Sequence, residues 1–142
     1  TGGDTTQETI GYVTFATAGN ASDAGDLAVG RNSCAGSGSG AGDIACFGGG
    51  GISGGYTNSI DQKNVSNTSN ATDFGDLSGA AYYNAGCYNA TKGHFIGGYD
   101  TTAGGASNVI QQVTFATAAN ATDFGDLLEA GFHCRASSGA AS

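Results

Sequence analysis

An eight-residue segment that occurs three times, at a constant spacing of fifty residues, constrains the fold of this chain most strongly. Residues 20–27 read Asn-Ala-Ser-Asp-Ala-Gly-Asp-Leu, and residues 70–77 and 120–127 both read Asn-Ala-Thr-Asp-Phe-Gly-Asp-Leu. A fixed period of this length is typical of repeat architectures, in which neighbouring units bury surface that one unit cannot bury alone. We therefore predict a chain of tandem units and call this segment the octapeptide.

The repetition continues on both sides of the octapeptide and predicts β-structure. An isoleucine opens each copy, at Ile10, Ile60 and Ile110. Residues 13–18, Val-Thr-Phe-Ala-Thr-Ala, return unchanged at 113–118, and their alternation is the period of a half-buried strand. The Asn, Asp and Gly residues of the octapeptide predict a turn, because Asn and Asp side chains bond nearby amides and Gly permits positive φ. No helical period of adequate length is visible.

Glycine doublets end a further predicted strand in two of the copies, after Phe47 and after Ile96. Repeats of about fifty residues with several short strands and such a doublet resemble the kelch type of β-propeller blade. The combination with Ala-Thr-Asp-Phe-Gly-Asp-Leu resembles, more narrowly, a kelch-like repeat of virion and tail-fibre proteins of aquatic bacteriophages. The chain departs from that pattern in having no tryptophan, and in Gln-Lys-Asn-Val-Ser at residues 62–66. The resemblance implies a scaffold or binding unit, without catalytic chemistry.

We predict one all-β repeat domain over residues 1–142, composed of three tandem kelch-like antiparallel units. Its segments are a strand at 1–9 that completes a neighbouring unit, then units at 10–59, 60–109 and 110–142, the last lacking its final strand. The two ends are therefore predicted to be complementary. Three readings of this stay open: closure of a ring across chains, head-to-tail growth of a filament, and excision from a longer protein.

Composition predicts a thin core and argues against anionic partners. Leu, Ile, Val and Phe together number 22 of 142 residues, about 15%, beside 27 glycines. That share is below the roughly 20% associated with disorder, but a disordered chain has no reason to keep a fifty-residue register. The net charge of −8 leaves no basic surface for nucleic acid or an anionic membrane. No apolar run approaches the roughly 20 residues that a membrane-spanning helix needs.

Four cysteines in a small, glycine-rich chain predict disulfides. Cys34 and Cys46 flank a glycine-rich hairpin and are predicted to pair across it, with a stabilisation of roughly 3 kcal/mol. Cys134 is predicted to pair with Cys87 or across a subunit boundary. The alternative is that all four are small, buried, free thiols.

Asparagines in Asn-x-Ser/Thr sequons are unusually frequent and predict a hydrophilic surface that carries glycans. Three of them belong to the octapeptide, and two more lie where the second copy departs from the hydrophobic pattern. The alternative is that the octapeptide makes a good turn with or without sugar. The six candidates are Asn20, Asn64, Asn67, Asn70, Asn89 and Asn120.

Two further sets of side chains are candidates for binding. The pair Asp23 and Asp26, repeated in each octapeptide, could ligate calcium, but capping of backbone amides explains all three pairs without metal. Tyr82, Tyr83 and Tyr88 form a candidate binding surface, since exposed aromatic rings stack on sugars or fill interface pockets. Packing between units is the alternative for these tyrosines.

The sequence thus predicts a structural protein and no enzyme or cofactor. We expect a subunit of an extracellular or virion-surface fibre that polymerises through its complementary end strands and carries glycans. The alternative is a glycan-binding phage or cell-surface adhesin of the β-propeller type. Three near-identical acid pairs favour a repeated structural duty over one active site, because acid–base catalysis needs carboxylates in unequal environments.

Overall fold

The computed structural model describes residues 6–39 and 43–138, and it confirms that the fold is all-β. Within those residues there are fourteen strands and no helix. The strands are β1 Gln7–Tyr12, β2 Ser22–Arg31, β3 Ala35–Gly38, β4 Ile44–Gly48, β5 Gly51–Ile52, β6 Gly55–Tyr56, β7 Ser59–Asn64, β8 Thr72–Asp76, β9 Ala81–Tyr82, β10 Ala85–Tyr88, β11 Lys92–Ile96, β12 Tyr99–Asp100, β13 Gly105–Thr114 and β14 Thr122–Gly131.

The strands form three antiparallel sheets and one short hairpin. The first sheet is β1–β2, and the second has the order β3–β4–β7–β8. The third has the order β10–β11–β13–β12–β9, with β14 also paired to β13, and β5–β6 is the hairpin. Because β4 pairs with β7 and β11 pairs with β13, each of the larger sheets joins the end of one sequence copy to the start of the next.

The pairing registers repeat at the spacing seen in the sequence. Ile60 lies opposite Gly75 in β7–β8, and Ile110 lies opposite Gly125 in β13–β14. In both pairs the register then skips one residue, Phe74 or Phe124, which makes a β-bulge. The predicted turn is therefore wrong for most of the octapeptide. Its Asp-Phe-Gly residues are accommodated as a bulge inside a strand, since glycine adopts the positive φ that the bulge requires.

The sheets are stacked on one another with small residues at the closest approaches. A Cβ added to Gly86 would lie 1.9 Å from the carbonyl oxygen of Gly36, and one added to Gly48 would lie 2.7 Å from the ring of Phe95. Only glycine allows the backbones to come so close. The buried apolar cluster joins the second and third sheets and consists of Ala35, Cys46, Ile60, Phe74, Leu77, Ala81, Phe95, Val113 and Phe115.

A buried ion pair joins the first sheet to the second. Arg31 Nη2 lies 2.9 Å from Asp61 Oδ2, and both side chains are almost completely buried. Arg31 Nη1 also donates to the carbonyls of Gly49 and Ser59, and Asp61 accepts the amide of Ala28. The charges are thus paired and their remaining hydrogen-bonding groups are satisfied, which a buried pair requires.

The second copy keeps its strand despite its polar sequence. Ser59–Asn64 forms β7, in which Ile60, Asp61 and Lys63 are buried. The Lys63 ammonium donates to the carbonyls of Asn64 and Asn67 and so holds the following turn. The predicted solvent-facing surface begins after Lys63, at residues 64–70, which are exposed.

The predicted first strand is described only in part. Residues 1–5 lie outside the described residues, so the proposal that they complete a neighbouring unit stays a prediction. Gln7–Tyr12, at the end of that segment, pairs with β2 of the same copy.

Candidate functional site

The octapeptides connect successive sheets through one hydrogen-bonding arrangement that occurs twice. The amide of Asp26 donates to Asn70 Oδ1 over 3.1 Å, and the carbonyl of Asp26 accepts the amide of Ala71 over 2.7 Å. The amide of Asp76 donates to Asn120 Oδ1 over 3.0 Å, and its carbonyl accepts the amide of Ala121 over 2.8 Å. We call this arrangement the Asn–Asp clamp.

A glycine beside each clamp lets the next copy approach. A Cβ on Gly25 would lie 2.7 Å from the carbonyl oxygen of Ser69, and one on Gly75 would lie 2.5 Å from the backbone of Ala119. The third copy has the same bulge geometry, with Gly125 at φ +147°, but a Cβ there would meet nothing within 4 Å. The third octapeptide therefore has the shape for a clamp and no occupant among residues 6–39 and 43–138.

Six aromatic rings form a continuous cluster. Tyr82 stacks on Tyr56 with ring centroids 4.3 Å apart, and it also contacts Tyr83 and Tyr99. Tyr83 stacks on His133 at 4.1 Å, and His133 meets Phe132 edge-on. The aromatic cluster thus consists of Tyr56, Tyr82, Tyr83, Tyr99, Phe132 and His133.

The cluster includes two of the three predicted tyrosines and adds residues that the prediction missed. Tyr88 lies outside it, on β10, with its side chain exposed. Phe132 and His133 could have been found from the sequence, because they follow Tyr82 and Tyr83 by fifty residues. The fifty-residue spacing does not identify Tyr56. Its hydrogen bond to Tyr82 is the main cause that raises the pKa of Tyr82 to about 12.

A cavity of about 220 Å³ lies next to the cluster and contains an unusual amide. Asn84 lines it together with Cys34 and Cys134, and neither polar atom of the buried Asn84 side chain has a hydrogen-bond partner among the described residues. Cys34, Asn84 and Cys134 occupy equivalent positions of the three copies. An unpaired buried amide is costly, and Asn84 holds two of the three buried side-chain polar atoms that have no hydrogen-bond partner among the described residues.

All four cysteines are free thiols in this structure. The predicted bridge between Cys34 and Cys46 is not formed, and the β3–β4 register places Ser37, rather than Cys34, opposite Cys46. Burial raises the pKa of the Cys46 thiol to about 12 and also raises the pKa of Cys34 and Cys87. Cys46 is a small buried hydrophobe, as the alternative predicts, whereas Cys34, Cys87 and Cys134 are half-buried.

Two of the repeated aspartates cap backbone amides. Asp23 Oδ1 accepts the amide of Gly25 over 2.8 Å, and Asp123 Oδ1 accepts the amide of Gly125 over 3.0 Å. This is Asx-type bonding, which these two side chains make without calcium. In the part of the chain that the structure describes, no three His, Cys, Asp or Glu side chains are placed to hold a metal ion.

The six sequon asparagines are all exposed, and five of them make side-chain hydrogen bonds of two kinds. Asn70 and Asn120 hold the Asn–Asp clamps through Oδ1. Asn64, Asn67 and Asn89 bond locally, and each accepts the amide two residues ahead. In both groups the side-chain oxygen accepts the hydrogen bond, so these bonds do not use the side-chain nitrogen that would carry a glycan.

No protein-family model matches this chain, and no curated protein is significantly similar to it. Residues 6–39 and 43–138 contain no helix of the length and apolarity needed to cross a membrane.

Proposed function

We propose that this chain is a structural subunit of an extracellular or virion-surface assembly, built of three tandem kelch-like units and self-associating through its ends. The Asn–Asp clamp carries this proposal. The same octapeptide residues make the same contacts between the first and second copies and between the second and third, so their duty is to stack units. A motif used in this way extends an assembly by repetition.

Four polar side chains of the octapeptides have structural partners, which supports a scaffold over an enzyme. Asp23 and Asp123 cap amides, and Asn70 and Asn120 hold clamps. Outside the octapeptides, Asp61 neutralises Arg31. The exposed sequons give the assembly a hydrophilic surface that is suited to a coat of glycans.

Light scattering coupled to size-exclusion chromatography tests the proposal without any ligand. We expect the mass of the native material to rise with concentration in multiples of the 13.8 kDa chain, apart from attached sugar. A mass that stays at one chain up to millimolar concentration would overturn self-association. Mass spectrometry of the same sample reads the glycans at the six asparagines, and bare asparagines would remove the glycan coat from the proposal.

The second candidate function is a glycan-binding adhesin, which the exposure of the aromatic cluster favours. Tyr56, Tyr83 and Phe132 each present a large exposed fraction, as sugar-stacking residues do. Against it, Tyr56 and Tyr83 already stack face to face on other rings. Glycan-array binding that disappears in Tyr83→Ala and persists in Tyr12→Ala, an exposed tyrosine outside the cluster, would favour the adhesin. Equal binding by both variants would exclude the cluster as its site.

A further inference from the structure

Two identical sequence segments differ completely in burial. Val113 and Phe115 are 3% and 6% exposed, whereas Val13 and Phe15, in the same Val-Thr-Phe-Ala-Thr-Ala sequence, are 49% and 100% exposed. Both segments make the same turn, because the amides of Thr17 and Thr117 each donate to the carbonyl three residues earlier. The first copy thus presents a preformed apolar surface that the third copy buries. We call Val13 and Phe15 the leading face.

At the other end of the stack, residues that are buried in the second sheet have half-buried or exposed counterparts in the third sheet. In the second sheet Ser37, Cys46 and Phe74 are buried beneath the third sheet. The register places Cys87 beside His94 in the third sheet, as it places Ser37 beside Cys46 in the second. The Phe124 ring packs edge-on against His94 at 4.8 Å.

On the side away from the second sheet, Cys87 and His94 are half-buried and Phe124 is exposed. Phe124 is 59% exposed, against 3% for Phe74 in the same octapeptide. We call Cys87, His94 and Phe124 the trailing face.

The polar contacts of a clamp are divided between the same two ends. Gly125 and Asp126 occupy the positions of Gly75 and Asp76, which receive Ala119, Asn120 and Ala121 of the next copy. At the first copy, Asn20 and Ala21 have the sequence of the incoming partner and are exposed. One end therefore offers the backbone half of a clamp and the other offers the asparagine half.

We propose that a second copy of this chain seats its leading face and its Asn20–Ala21 pair on the trailing face and Asp126 of the first. The contact repeats the part of the second–third contact that the Val-Thr-Phe segment and the clamp make, and it is the same for every added chain. It is heterologous, so it grows a filament or closes a ring, according to the rotation between chains. This inference rests on the proposed function and specifies the surfaces of its self-association.

Two variants that each disable one face provide the test. Phe15→Ser removes the exposed ring of the leading face, and Phe124→Ser removes that of the trailing face. Both rings are largely exposed in the single chain, so both variants are expected to fold, which circular dichroism checks. Val65→Ser is the matched control, because Val65 is the exposed second-copy counterpart of Phe15 and belongs to neither face.

Sedimentation velocity over a concentration series gives the readout. We expect each face variant alone to raise the concentration of half-assembly about 30-fold, as for loss of a buried aromatic anchor, and Val65→Ser to leave it unchanged. Between the two midpoints, an equimolar mixture of Phe15→Ser and Phe124→Ser is expected to give a dimer and nothing larger. The intact trailing face of one variant accepts the intact leading face of the other, and the remaining faces are disabled.

Two results overturn the inference and are distinguishable. If both face variants assemble like the unchanged chain, association uses another surface, and the proposed function survives while this interface does not. If the unchanged chain sediments as a single 13.8 kDa species at every concentration, both the interface and self-association are wrong.

Discussion

Replacing Arg31 with alanine is expected to destabilise the chain severely, and the chain itself supplies the compensating change. Arg31→Ala leaves the Asp61 carboxylate, 2% exposed, without its countercharge, and it removes the donors to the carbonyls of Gly49 and Ser59. Removing one partner of a buried ion pair costs about 3–5 kcal/mol in the free energy of unfolding. That is a large share of the roughly 5–15 kcal/mol available to a domain.

The equivalent positions fifty residues on are Ala81 and Gln111, where no ion pair is needed. Gln111 Oε1 accepts the amide of Ser78 over 2.7 Å, which is the bond that Asp61 Oδ2 makes with the amide of Ala28. The double variant Arg31→Ala/Asp61→Gln therefore imitates the next copy. We expect it to recover at least half of the loss that either single variant suffers, because no buried charge is left unpaired.

Urea unfolding of the four chains at low concentration completes the double-mutant cycle. The expected coupling free energy between the two positions is about 2 kcal/mol or more, with the double variant more stable than the sum of the singles predicts. A coupling within about 0.5 kcal/mol of zero would refute the reasoning. It would mean that the packing of the guanidinium, and not the charge pair, stabilises the contact between the first two sheets.

Three other perturbations have clear expected outcomes. Gly75→Ala is expected to lower the free energy of unfolding by about 1–3 kcal/mol more than Gly125→Ala. Both glycines have φ +147°, but only Gly75 faces Ala119. Equal losses in the two variants would show that backbone strain at positive φ, and not the contact with Ala119, sets the cost. Iodoacetamide is expected to label Cys46 more slowly than Cys87, as read by mass spectrometry, because burial raises the pKa of Cys46 to about 12; equal rates would contradict that burial. Burial and Lys92 lower the pKa of His94 below 6.5, so its contribution to stability is complete above pH 6.5 and is lost as pH falls through the lowered value; an NMR titration midpoint above 6.5 would reverse that sign.

The fifty-residue period predicts strands and equivalent positions well, because it is set by local sequence. It correctly relates Ile60 to Ile110, and the same period would have related the predicted Tyr82 and Tyr83 to Phe132 and His133, which the prediction missed. It cannot show that β4 pairs with β7, since pairing across copies depends on the path of the chain in space.

The sequence alone likewise cannot predict how deeply two identical segments are buried. Phe15 and Phe115 have the same neighbours along the chain and opposite exposure, because the third copy lies on the second sheet, whereas the first copy has no sheet on that side among the described residues. The Arg31–Asp61 pair was unpredictable for a related reason: the other copies carry Ala81 and Gln111 in its place, so no repeated pattern marks it.

Negative-stain electron microscopy of the native material, at increasing concentration and before any refolding, tests the central claim most directly. If the chain is a structural subunit whose ends match, the images will show linear filaments or closed rings of repeating units without added ligand. Isolated particles of single-chain size at every concentration would contradict the account.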